Sequence, residues 1–129
     1  MNSTLPPMRI TWLLEFEFTN GVRYEAFRNA SDRTRGYDIG VAMAMLVDFE
    51  NDIASGRIEI VEFDSLKVRR IAAELSEQHS TGGGHRSFDI LHVATAIYFG
   101  AAEFLTFDIN QRKLAEAAGL KVPFQLPTV

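Results

Sequence analysis

The chain has 129 residues and no cysteine. That one absence excludes disulfides, thiolate nucleophiles and cysteine-based zinc sites together. Long apolar runs are missing as well. The longest, Gly40 to Val47, falls far short of the roughly 20 residues that cross a bilayer. Met1 to Pro7 has neither the charged start nor the apolar stretch of a secretory leader, so a cytoplasmic protein with no membrane partner is expected. Positive charge is scarce: 13 Lys and Arg face 17 Asp and Glu, a net charge of −4. This disfavours a protein that grips nucleic acid through a broad basic face. It leaves room for an acidic site covered by bound metal, because the ion reverses the local sign. There is no Asp-x-Asp signature of an aspartyl phosphatase and no Gly-x-Ser-x-Gly elbow. Gly82 to Gly84 lacks the Lys-Ser/Thr of a phosphate loop.

What is present begins with a core. Hydrophobic residues make up 47% of the chain and ten are Phe, enough for one folded domain and unlike a disordered chain. Arg9 to Leu14 is apolar and β-rich and predicts a short buried strand, followed by a helix ending near Asn29 to Ser31. A second helix is expected over Arg35 to Ala54, stopped by Ser55 and Gly56. Ile58, Ile60 and Phe63 alternate with polar residues as a strand does. Asp64 should cap a helix from Ser65 to about His79, carried on Val68, Ile71, Ala72 and Leu75. Ser80 to Gly84 predicts a loop. Ser87 should cap a helix over Phe88 to Phe99, with Gly100 in the left-handed stop position. Phe104 to Phe107 predicts a buried strand, Gln111 to Ala118 a helix stopped by Gly119, and Val122 to Phe124 a last strand. Strands alternating with helices imply an α/β domain whose mostly parallel sheet is covered on both faces.

Three carboxylates stand out by position. Asp108 closes the strand Leu105-Thr106-Phe107, and open parallel sheets bind ligands at the carboxyl ends of their strands. Its plain alternative is a helix cap, a role that Asp favours. Asp89 lies in the first turn of an otherwise apolar helix, where it could simply stabilise the helix dipole by about 0.3–1 kcal/mol. Glu17 sits just past the first predicted strand, and its alternative is one exposed charge on an amphipathic helix. Taken together the three suit an ion of the magnesium type, which takes oxygen ligands from several elements. Such an ion activates water and stabilises charge developing on a phosphate under attack.

The stretch His85 to Ala96, then Gly100 and Ala101, Phe104-Leu-Thr-Phe-Asp108, Gln111, Ala115 and Gly119-Leu-Lys-Val122, resembles the C-terminal half of a PIN domain. Phe16-Glu17-Phe-Thr-Asn20-Gly-Val-Arg23 resembles that family's second motif. The likeness runs from about Ile10 to Val122. It implies a three-layer α/β/α domain and a metal-dependent ribonuclease, of the VapC-like toxin type that pairs with a small antitoxin. Carried over, Glu17, Asp89 and Asp108 match the second, third and fourth acidic positions. They would serve as catalytic residues and as ligands of Mg²⁺ or Mn²⁺. Asn20, one turn from Glu17, and Thr106, beside Asp108, match supporting positions. RNA is the implied substrate, with an antitoxin or a second copy of the chain as protein partner.

The family's first acidic residue closes a strand upstream of the Glu motif, and here no Asp or Glu precedes Glu15. The resemblance therefore implies an N-terminally incomplete domain. Two expectations follow. Either a strand ending in Asp is encoded further upstream, or the chain leans on a partner or a swapped element to cover the gap; the alternative function is an inactive remnant that acts through protein contacts. His79, His85 and His92 are expected at the edge of the core rather than on a metal. Met43, Met45, Leu46 and Phe49 are expected in the core or on a dimer face. Arg28, Arg33 and Arg35, with Lys67, Arg69 and Arg70, are expected as solvated charge.

Overall fold

In the computed structural model, residues 6–101 and 109–123 are described. The elements run β1 (Met8–Ile10), α1 (Trp12–Ser31), α2 (Ile39–Ala54), β2 (Ile58–Ile60), α3 (Ser65–Leu75), the helical turn α4 (Thr81–Gly83), α5 (Ser87–Tyr98) and α6 (Ile109–Ala117). β1 and β2 pair in parallel with Met8 opposite Ile58 and Ile10 opposite Ile60. Parallel pairing requires a crossover, and α1 and α2 supply it. The fold is thus α/β, rich in helix, with a small parallel sheet among the described residues. The strand expected at Phe104 to Phe107 lies outside the described residues. Of the expected last strand, Val122 and Pro123 are in irregular backbone next to a single β-bridge residue, Lys121, and Phe124 lies outside the described residues.

The chain divides into two compact units between Glu62 and Phe63. In the first unit the expected strand is cut short. β1 ends at Ile10, Thr11 takes the N-cap position, and Trp12 to Leu14 form the first turn of α1. A short apolar run is compatible with either state. The four-residue spacing of Leu14, Phe18, Val22 and Ala26 favours helix. α2 begins at Ile39 rather than Arg35, because Gly36 holds φ at +59° and Asp38 caps the helix by accepting from Val41 N at 3.0 Å. The intervening turn is tied down: Asn29 Nδ2 donates to Arg35 O at 2.9 Å. Val22, Ala42 and Leu46 form the buried centre of this unit, with Phe18, Ala26, Tyr37 and Met45 packed on it. Phe18 and Phe49 stack with ring centroids 4.7 Å apart, whereas Met43 is exposed.

In the second unit, Asp64 caps α3 as expected, accepting from Leu66 N and Lys67 N. Val68 and Leu75 are buried and Ile71 and Ala72 pack beside them. The loop expected at Ser80 to Gly84 is instead a continued helical path. A π-turn over Ser76–Ser80 runs into α4, and only Gly84, at φ +66°, leaves it. Gly84 N donates to Ser80 O at 2.7 Å, which closes that turn and keeps the glycines helical. Ser87 does not cap α5. Arg86 occupies the N-cap position without a side-chain bond, and Ser87 is the first helical residue. α5 and α6 stop as glycine-ended helices do. Gly100 N donates to Ile97 O and Ala101 N to Ala96 O; Gly119 N donates to Glu116 O and Leu120 N to Ala115 O. Ile90, Val93, Ala94, Leu114, Ala115 and Leu120 complete one core with Val68 and Leu75.

Candidate functional site

Asp89 is the third residue of α5 and is half-buried. Its neighbour Ile90 and the residue one turn on, Val93, are both in the core, so the helix at that point is pinned by apolar packing. α6 packs against the same helix through Leu114 and Ala115. Its first turn brings Gln111 to Asp89, where Nε2 donates to Oδ1 at 3.1 Å. A carboxylate held by a neutral amide keeps its charge and gains a fixed orientation. Gln111 was noted in the sequence only as part of a motif. No spacing rule predicts that a residue 22 positions away faces Asp89, and the contact follows from α5–α6 packing.

Glu17 and Asn20 lie on α1, three residues apart and therefore on neighbouring positions of one helix face; both are exposed. Glu17 falls in the second turn of that helix rather than just past a strand, because β1 stops at Ile10 and α1 begins at Trp12. Asp108 and Thr106 lie outside the described residues. The described residues include no group of three or more acidic or histidine side chains placed to hold a metal. The donors that are described around Asp89, a carboxylate supported by a carboxamide, fit a hard cation: such ions select oxygen, and ligating carboxylates are characteristically hydrogen-bonded from behind.

The histidines behave as core-edge residues. His92 is buried, with its ring centroid 5.9 Å from that of Phe88. The His85 ring lies against Gly83, where any Cβ would collide with it. Its Nδ1 and the Ser80 hydroxyl are buried without a hydrogen-bond partner among the described residues. In the first unit a cleft of about 410 Å³ is lined by Met8, Ile10, Leu14, Phe18, Met45 and Phe49, with Asp48 and Asp52 among its other lining residues. Asp52 is engaged by Arg57 Nε at 2.8 Å. The rest of the lining is apolar, so what the cleft chiefly offers is apolar contact. Among the described residues no helix is long and apolar enough to cross a membrane.

No curated protein and no solved structure gives a significant match. The sequence model of the PIN domain, by contrast, matches residues 15–117, a span that holds Glu17, Asp89, Gln111 and Asp108. PIN domains are in general nucleases that use divalent metal ions, and they typically bind RNA. With that match over well more than half of its length, the chain belongs to the PIN domain family.

Proposed function

We propose that the chain is a divalent-metal-dependent endoribonuclease acting in the cytoplasm, as the toxin component of a toxin–antitoxin pair. Glu17, Asp89 and Asp108 are its carboxylate ligands for Mg²⁺ or Mn²⁺, and Asn20 and Thr106 support them. The observation that carries this reading is Asp89, a half-buried carboxylate on a packed helix, oriented by Gln111. When bound, the ion supplies Lewis acidity at the scissile phosphate and lowers the pKa of water beside it. The chain's part is to hold negative oxygens in place. In this reading Glu17, Asp89 and Asp108 supply those oxygens, with Asn20 and Thr106 as polar neighbours, and Asp89 does so from the first turn of α5. No covalent enzyme intermediate is required.

The toxin assignment has separate support in the first unit. Trp12 and Phe16 on α1, and Ile39, Met43 and Val47 on α2, are exposed. The last three recur every fourth residue and share a helix face. Surfaces of this kind mark contacts with other proteins, as an antitoxin or a second copy of the chain would make. The same observation favours a second reading, an inactive PIN domain that works only as a protein-interaction module.

Cleavage of single-stranded RNA separates the two readings. The nuclease requires added Mg²⁺ or Mn²⁺, stops with EDTA, and loses activity in Asp108→Asn, a change that preserves helix-capping ability. Cleavage that persists in EDTA overturns metal dependence. A folded protein inert towards RNA with either metal leaves the interaction module.

A further inference from the structure

We propose that Gln111 is a positioning residue for the metal-binding carboxylate of Asp89, an inference that rests on the metal-dependent reading above. Gln111 precedes the fully buried Leu114 and Ala115 by three and four residues, so it shares the α6 stripe that packs on α5. Asp89 stands in the same relation to Val93, which is also fully buried. The two packed stripes therefore bring the first turns of α5 and α6 together and fix where both side chains start. From there the Gln111 amide reaches Asp89 Oδ1 at 3.1 Å in a part-buried setting.

The chemistry of the partner matters as much as its place. The terminal torsion of an Asp carboxylate is broad, so an unsupported one loses freedom when it binds an ion. A hydrogen bond to one oxygen removes part of that cost in advance. Lys or Arg at this position would do the same but would neutralise the carboxylate and compete with a cation. A second carboxylate would repel it. A carboxamide is a neutral donor that does not titrate, so it orients Asp89 and leaves its charge intact. Losing such a support typically costs about 10–100-fold in metal affinity.

The test is Mn²⁺ affinity of the full chain, read from the free-ion EPR signal, for wild type, Gln111→Leu and Gln111→Asn. Leu removes the donor at similar volume. Asn keeps an amide but is one methylene too short to reach, and it guards against a variant that fails to fold. Both are expected to weaken Mn²⁺ binding by about 10–100-fold while far-UV dichroism and the thermal midpoint stay near wild type. A folded variant that binds Mn²⁺ within twofold of wild type overturns the positioning role and leaves the metal reading standing. Wild type that binds no Mn²⁺ overturns both.

Discussion

The two units bury their apolar residues to different extents. The second joins eight buried side chains from α3, α5, α6 and the turn after α6 into one core, whereas the buried cluster of the first is Val22, Ala42 and Leu46, with Ile10 and Leu13 buried apart from it. Among the described residues, ten large hydrophobics of the first unit are exposed and four of the second. The second unit thus has the rigid support that a catalytic carboxylate needs, since a side chain can be held only as firmly as the element beneath it. The first has apolar surface left over, which suits contact with another protein. Composition alone does not distinguish the halves, because the chain's 47% hydrophobic content says nothing about which residues find partners.

The widest gap between the units should appear on truncation. Leu114 is fully buried, and Leu114→Ala should cost about 2–5 kcal/mol by chemical denaturation. Phe27, at 65% exposure, should tolerate Ala within about 0.5 kcal/mol in the isolated chain. Equal losses at the two positions would break the contrast.

A middle-sized effect is expected in the turn before α2. Gly36 sits at φ +59°, and a Cβ there would overlap the Glu25 carbonyl oxygen. Gly36→Ala should cost at least about 1–3 kcal/mol from the left-handed backbone alone. The first unit is then anchored at its turn even though its helices are sparsely covered. A neutral result would mean that the turn is free to rearrange.

The smallest effect concerns Asp32. The Thr34 hydroxyl and then the Thr34 N–H donate to its carboxylate, at 2.6 and 3.0 Å, and hold its pKa below the ordinary 3.8. Arg35 and Arg28 act in the same direction. A lowered folded pKa means that the stabilisation is complete above 3.8 and is lost as the pH falls through the folded value. Thr34→Val should therefore raise the Asp32 titration midpoint, seen by carboxyl NMR, and lower stability slightly at neutral pH while leaving it unchanged in acid below the folded midpoint. An unshifted midpoint would remove the Thr34 contact from the account.

Much of this architecture was legible in the sequence, and the failures have physical causes. Asp64, Gly100 and Gly119 were readable because caps act through neighbours in sequence. The stripe Val68, Ile71, Ala72 and Leu75 was readable because its spacing is that of a helix face. Trp12 to Leu14 misled because a short apolar run fits strand and helix equally. Ser87 misled because the residue before it took the cap position. Ser80 to Gly84 misled because glycine permits loops without enforcing them, and here the preceding helix propagated through it. At the candidate site the motif pointed to Asp89, but its partnership with Gln111 depends on how two helices pack. The positions of Asp108 and Thr106 fall outside the described residues, so for them the sequence motif and the family match stand alone.

The central claim is that Asp89 serves a bound metal in RNA cleavage. The most direct measurement is the cleavage rate of single-stranded RNA by wild type and Asp89→Asn, side by side, in Mn²⁺ and in EDTA. Asn retains the shape and removes the charge. The account predicts cleavage by wild type in Mn²⁺ only, and a fall of about a hundredfold or more in a folded Asp89→Asn, as the loss of several kcal/mol of charge stabilisation requires. Asp89→Asn cleaving at the wild-type rate would contradict it.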